Sequence, residues 1–274
     1  MDTENRMIQL LQATEQEILD VIHQVCIEHD LRYSLAYGTL IGAVRHHGFI
    51  PWDDDIDIIM PREDYEQLLK VWQEAAPEGY ILQNSRTDRD FSQNFTKIRK
   101  DHTTFLQSES ERDKKYHKGI FVDIFPGDRV APNKFGKIIQ FCACALNLLY
   151  TRGFPSGSSG LVGLVENLLL KFPEKNFPIY RNRTEMLIRK WNDNTSAQYV
   201  FPSTIEFCKK YHSADLFECL KTIEFNGKQY LCVADPDKML RQDYGDYMQL
   251  PPIEERIWKH HPVIVDFQHN FIEK

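Results

Sequence analysis

The run Tyr37-Gly38-Thr39-Leu40-Ile41-Gly42-Ala43-Val44-Arg45-His46-His47-Gly48-Phe49-Ile50-Pro51-Trp52-Asp53-Asp54-Asp55-Ile56-Asp57-Ile58-Ile59-Met60 sets clustered carboxylates directly behind a glycine turn. In an extended chain successive side chains alternate faces, so Asp55 and Asp57 point one way while Ile56 and Ile58 point into a core. Two carboxylates on one face, completed by substrate phosphates and water, are the hard oxygen ligands that Mg²⁺ or Mn²⁺ accepts. Upstream, residues 34–37 read as extended, Gly38 as a tight turn, and Thr39 as the N-cap of a short helix with an apolar face of Leu40, Ile41, Ala43 and Val44. The unbonded N–H groups at that helix start favour an anion. The expected order is therefore strand, glycine turn, helix, and a second strand carrying Asp-x-Asp. Other readings of the acidic run are a solvated turn or a structural calcium loop. Ile56 inside the run and Ile58-Ile59 behind it argue against both.

A chain of 274 residues, 42% hydrophobic and 12% aromatic, can bury a core large enough for one big domain, or one domain with an insertion. The formal net charge of −7 argues against an extended nucleic-acid surface, which needs many lysines and arginines facing phosphates. Six cysteines, Cys26, Cys142, Cys144, Cys208, Cys219 and Cys232, form no Cys-x-x-Cys pair, which fits neither a zinc ribbon nor a dense disulfide framework. Together with an N-terminus, Met1-Asp2-Thr3-Glu4-Asn5, that lacks the basic and apolar regions of a secretory signal, this points to a reducing cytoplasm.

Outward from the acidic run, residues 6–29 carry Leu11, Ile18, Ile22, Val25 and Cys26 at helical spacing, which predicts an amphipathic helix lying on a sheet, and 31–37 predicts the first strand. Tyr65, Leu68, Leu69 and Trp72 stripe a helix ending before Pro77, and Tyr80 to Gln83 restarts a strand. In Phe95-Thr96-Lys97-Ile98-Arg99 the two cations share a face. They suit either neutralisation of a transferring phosphoryl group or the protection of an exposed sheet edge. The apolar run Gly119 to Pro126 holds Asp123 at its centre. A buried carboxylate demands a cation or hydrogen-bond donors, so Asp123 is either an ion-paired structural group or a third site carboxylate.

Residues 135–172 read as a helical hairpin, 138–150 and 161–170, about a Gly/Ser-rich turn. Each arm is shorter than the roughly 20 apolar residues of a membrane span. Flanking Lys134, Lys137, Arg152 and Lys171 leave peripheral contact with a membrane's inner face open; the plainer arrangement is a helical pair packed on the core. A helix at 181–191 follows, with Met186, Leu187 and Trp191 as core contacts. Next come a hairpin about Asn226-Gly227 and a short helix begun by Asp235-Pro236 and closed by Gly245.

The glycine-threonine-leucine, arginine-histidine and proline-tryptophan-aspartate segments resemble the signature of the LicD phosphotransferases, distant relatives of fukutin and fukutin-related protein. Tyr244-Gly245-Asp246 before Leu250-Pro251-Pro252, with His260 beyond, is similar to the family's C-terminal pattern. The resemblance is strongest over 33–65 and weakest over 135–200. It implies an α+β fold with a nucleotidyltransferase-like mixed sheet, flanking helices and a helical insertion: a core at 1–134, an insertion at 135–200, and a part at 201–274 completing the same domain. It also implies metal-dependent transfer of phosphocholine from CDP-choline, or of another phospho-alcohol from its CDP derivative, to a hydroxyl of a surface or lipid-linked glycan. Teichoic acid or lipopolysaccharide would be the acceptor and CMP the leaving group. Residue by residue, Asp55, Asp57 and Asp123 would be catalytic and hold Mg²⁺ or Mn²⁺, with Asp123 as third ligand or base. Gly38 and Thr39 would cradle a phosphate, and Lys97 would contact substrate. Arg45 suits a phosphate because its fork binds two oxygens, whereas His46 and His47 lack metal-ligand spacing. Choline, unable to donate a hydrogen bond, calls for aromatic faces. Trp52 and Tyr116 are the candidates, Trp52 being equally readable as a core anchor of its loop. The alternatives are a nucleotidyltransferase that makes a CDP-activated compound, and a catalytically silent nucleotide- or glycan-binding protein.

Overall fold

The computed structural model describes residues 3–272 except 89, 158, 194–196 and 259–260, so His260 lies outside the described residues. The fold is α+β and divides into two compact units: Met1–Phe91, Thr96–Pro126 and Asp215–Lys274 make one, Ser92–Phe95 and Gly127–Ala214 the other.

In the first unit α1 (Thr3–Glu28) buries Leu11, Ile18, Leu19, Ile22, Val25 and Cys26, the stripe expected from their spacing, and packs against α3 (Arg62–Ala75) and β4 (Thr96–Lys100). β1 is only Ser34–Leu35, antiparallel to β2 (Asp57–Pro61), with Ser34 opposite Ile59 and Leu35 opposite Ile58. The predicted longer first strand is cut short because Tyr37, at φ 48°, turns the chain into α2 (Tyr37–His46). The helix N-cap is therefore Ala36, not Thr39, and the left-handed turn is made at Tyr37 rather than at Gly38. α3 buries Tyr65, Leu68 and Trp72 as their spacing requires, and leads to β3 (Tyr80–Gln83).

β3 pairs antiparallel with β4, and β4 with β6 (Phe121–Arg129), in the order β1-β2-β6-β4-β3. β4 is thus a central strand, with Thr96, Lys97, Ile98 and Arg99 all buried, and the exposed-edge reading of its two cations is excluded. β5 (Thr104–Leu106) pairs with β11 (Ile264–Asp266). β9 (Lys221–Phe225) and β10 (Lys228–Cys232) form the hairpin about Asn226-Gly227, whose φ values of 54° and 79° suit a primed turn. The Asn226 N–H donates to His47 O at 2.7 Å, fastening this hairpin to the end of α2. α7 (Pro236–Tyr244) closes at Gly245 as expected.

In the second unit β6 continues past Pro126. Its Asp128 and Arg129 pair with β7 (Gln198–Val200), and β7 pairs with β8 (Tyr211–Ser213). α4 (Lys134–Arg152) packs on α6 (Phe177–Arg189), which replaces the expected hairpin with α5 (Gly160–Leu169). On α6 the buried positions are Phe177, Thr184 and Ile188, with Trp191 beyond; Met186 and Leu187 are exposed, which corrects their assignment to the core. The face of a helix is set by its partner, and with α4 as partner the i, i+4 pair 184/188 turns inward. Among the described residues no helix is long and apolar enough to cross a membrane.

Candidate active site

The acidic loop arrives at the sheet from the turn at Pro51-Trp52, and burial alternates along it: Asp54, Ile56 and Ile58 are buried, Asp53, Asp55 and Asp57 half-buried. Asp53, Asp54 and Asp55 each offer a carboxylate oxygen, and the three oxygens lie within 4.8 Å of one another. Asp57 starts β2; its N–H donates to Thr39 Oγ1 at 2.9 Å, so the buried threonine hydroxyl positions the strand start. From the neighbouring strand, the Asp123 N–H donates to Ile56 O at 2.9 Å, which brings the β6 carboxylate to the same loop. Gly38 is needed here for space. A Cβ would lie 2.6 Å from Asp53 Oδ2, so the first turn of α2 receives the Asp53 carboxylate where free N–H groups and the helix dipole favour negative charge.

Lys97 stands opposite Asp123 in the β4–β6 register. Its Nζ donates to both carboxylate oxygens at 2.7 and 3.0 Å and lies 3.2 Å from the centre of the Phe121 ring. Burial pulls the Lys97 ammonium below its usual range while Asp123 pulls it back up. Arg99, on the same face, donates to Gln83 Oε1 and Gly119 O, both at 2.6 Å, and burial brings its guanidinium down to about 10. Asp57 is pushed well above the usual carboxylate range by burial first, then by Asp55, Asp123 and Asp53. Asp53, Asp55, Asp57 and Asp123 therefore share one electrostatic site.

Arg45 donates through Nη1 to Tyr247 O at 2.7 Å and through Nε to His46 Nε2 at 2.9 Å. Burial and the nearby Arg256 lower its guanidinium, and Asp53 offsets this. Trp52 meets His46 edge-on at 6.5 Å and carries the Arg256 guanidinium 5.7 Å from its ring centre. Tyr116, in the loop that leads to β6, meets Phe91 edge-on at 6.0 Å and lies 5.9 Å from the cations of Arg99 and Lys118.

Residues that the sequence reading passed over complete the site. Trp258 Nε1 donates to Asp54 Oδ2, which explains how a carboxylate 2% exposed is tolerated. Gln12 Nε2 donates to Asp53 O at 2.8 Å, and one helical turn on, Glu15 is 2% exposed and pushed well above the usual carboxylate range, by burial first and then by Asp55, Asp54, Asp53 and Asp123. Glu15 was discoverable. It occupies the apolar stripe of α1 at the spacing of Leu11, Ile18 and Ile22, where a carboxylate has no structural reason to be. The contacts of Trp258 and Arg256, some 200 residues from the loop in sequence, left no local signal.

The LicD/FKTN/FKRP nucleotidyltransferase domain matches residues 30–137. The chain is 33% identical over 254 residues to the lipopolysaccharide cholinephosphotransferase LicD of Haemophilus influenzae, covering 87% of this chain and 90% of that protein. An uncharacterized protein of Rickettsia prowazekii is 28% identical over 127 residues, 44% of this chain and 47% of the relative. One of Rickettsia typhi is 31% identical over 70 residues, 26% of this chain and 23% of the relative. Similarity to the Haemophilus protein along nearly its whole length, joined to the domain match over the carboxylate site, means that the chain belongs to the LicD family and is a transferase.

Proposed function

We propose that this protein transfers phosphocholine from CDP-choline to a hydroxyl of a cell-surface glycan precursor, releasing CMP. The carrying observation is the convergence of Asp53, Asp55, Asp57 and Asp123 on one site, with Lys97 beside Asp123, in a chain so similar to a lipopolysaccharide cholinephosphotransferase. The acceptor could be a lipopolysaccharide or a teichoic acid, since the site residues recognise a diphosphate and not the sugar.

The donor set is all hard oxygen, and Glu15 Oε2 is a buried oxygen with no hydrogen-bond partner, so the residues fit a cation such as Mg²⁺ or Mn²⁺. Asp55, Asp57 and Asp123 would hold it, and its chemistry is to neutralise the diphosphate oxygens. In an in-line displacement the acceptor oxygen bonds to the choline-bearing phosphorus as the bond to CMP breaks. Positioning and charge neutralisation supply most of the rate. Lys97 contributes positive charge and holds the Asp123 carboxylate in an ion pair, so that Asp123 either completes the cation site or takes the hydroxyl proton. The first turn of α2, with Gly38 and Thr39, and the fork of Arg45 orient phosphate oxygens. Trp52, which already has a guanidinium 5.7 Å from its ring centre, offers an aromatic face to the choline ammonium, with Tyr116 as a second aromatic candidate.

Mass spectrometry of the reaction separates the readings. Incubation with CDP-choline, Mg²⁺ and a glycan acceptor should yield CMP and an acceptor heavier by one phosphocholine. Consumption of CTP with phosphocholine instead would identify a nucleotidyltransferase, and binding without conversion a silent protein; either outcome would overturn the proposal.

A further inference from the structure

The helix α5 presents to water the face that a surface helix ordinarily buries. Its carboxylate, Glu166, turns toward the end of α4: it accepts from the Ser156 N–H at 2.9 Å, the Ser156 hydroxyl at 2.7 Å and Arg152 Nη2 at 3.2 Å, and Gly163 is buried. Val162, Leu164, Val165 and Leu168 are left 59%, 68%, 45% and 62% exposed, with Phe172 beyond the helix end at 50%. Leu164, Val165 and Leu168 are spaced i, i+1 and i+4, so they share one face, roughly opposite Gly163. A contiguous apolar face left in water marks a docking surface.

The surrounding charge selects the occupant. Residues 134–190, all in the second unit, carry nine lysines and arginines against three glutamates, in a chain whose net charge is −7. Two of those glutamates, Glu166 and Glu185, are paired with Arg152 and Arg189, while Lys171 and Lys175, just past α5, are exposed. An apolar helix face bordered by cations suits the boundary between acyl chains and anionic headgroups. A second copy of the chain, meeting this face about a two-fold axis, would instead bring the same cations together. We propose that α5, with Lys171 and Lys175, is a docking helix that lies in the surface of a bilayer containing anionic lipids. The proposal goes beyond the transfer reaction and stands independently of it.

Flotation of the full chain with lipid vesicles, without nucleotide or acceptor, tests it. Wild-type protein should float with equimolar phosphatidylglycerol and phosphatidylcholine vesicles, and bind pure phosphatidylcholine vesicles at least about 10-fold more weakly. Leu164→Ser combined with Leu168→Ser should lower partition onto the anionic vesicles at least about 10-fold. Its melting temperature should stay unchanged, because both side chains already stand in water. Failure of the wild type to float, equal binding to the two vesicle types, or full binding by the double variant would each overturn the proposal. So would a wild-type dimer in sedimentation that the double variant converts to monomer without any vesicle binding, since a second copy would then cover the face. Should the double serine variant fail to fold, Lys171→Glu combined with Lys175→Glu decides. That variant should bind the anionic vesicles at least about 10-fold more weakly, and undiminished binding would contradict the proposal.

Discussion

On α4 the buried amides Gln140 and Asn147 are neutral and serve chiefly the main chain. Gln140 donates to Arg129 O and Ile188 O and accepts from the Ala131 N–H, while Asn147 donates to Arg181 O and Thr184 Oγ1. Between β2, β4 and β6 charged side chains act on one another: Lys97 bonds Asp123, Asp57 is raised by three other carboxylates, and Glu15 by four. Neutral amides bonded to backbone are an inexpensive way to pin helices, whereas buried ions gain little stability over well-packed apolar residues. The contrast teaches that the charged cluster is retained for chemistry and the amide cluster for packing.

The largest expected effect breaks the charged side of this comparison. Asp55→Asn should lower turnover at least about 100-fold while leaving the melting temperature nearly unchanged, as measured by CMP release and calorimetry. A Lys97→Met variant should lose both. Removing one partner of a buried ion pair costs about 3–5 kcal/mol, read from denaturant unfolding, and the positive charge beside the site goes with it. On the other side, Gln140→Leu leaves an N–H and two carbonyls without their partner, so unfolding should become easier by about 1–3 kcal/mol with turnover per folded molecule unchanged.

The smallest effect sharpens the electrostatic argument. Asp57 has a raised folded-state pKa, so from the ordinary carboxylate value of about 4 upward the folded protein holds more proton than the unfolded one, and stability falls as pH rises through that window. Burial holds His23, His46 and His117 below the usual imidazole value, which acts in the opposite sense but cancels when variant and wild type are compared. In EDTA, the melting temperature of Asp57→Asn minus that of wild type should therefore grow from pH 5 to pH 8. A flat difference would mean that Asp57 feels no repulsion.

Much of this architecture could be read from local pattern. The α1 and α3 stripes, the Asn226-Gly227 hairpin, the burial of Ile56 and Ile58 and the central position of Asp123 all follow from period and turn chemistry, which act over a few residues. What escaped depends on distant partners. Tyr37 takes a left-handed turn that β-region propensity disfavours, held by Ala36 bonding to Asp57 O. The inward face of α6 is chosen by α4 and not by its own most apolar residues, and the Trp258 contact to Asp54 joins segments with no common motif. Sequence exposed the carboxylates of the site; only the fold brought Trp258 to Asp54 and Arg256 to Trp52.

The most direct test of the claim that the buried charges serve cation-dependent transfer is the initial rate of CMP release from CDP-choline, with a glycan acceptor, in Mg²⁺ and then in excess EDTA. The account predicts steady release in Mg²⁺, a fall to background in EDTA, and recovery when Mg²⁺ is restored. An undiminished rate in EDTA would contradict it.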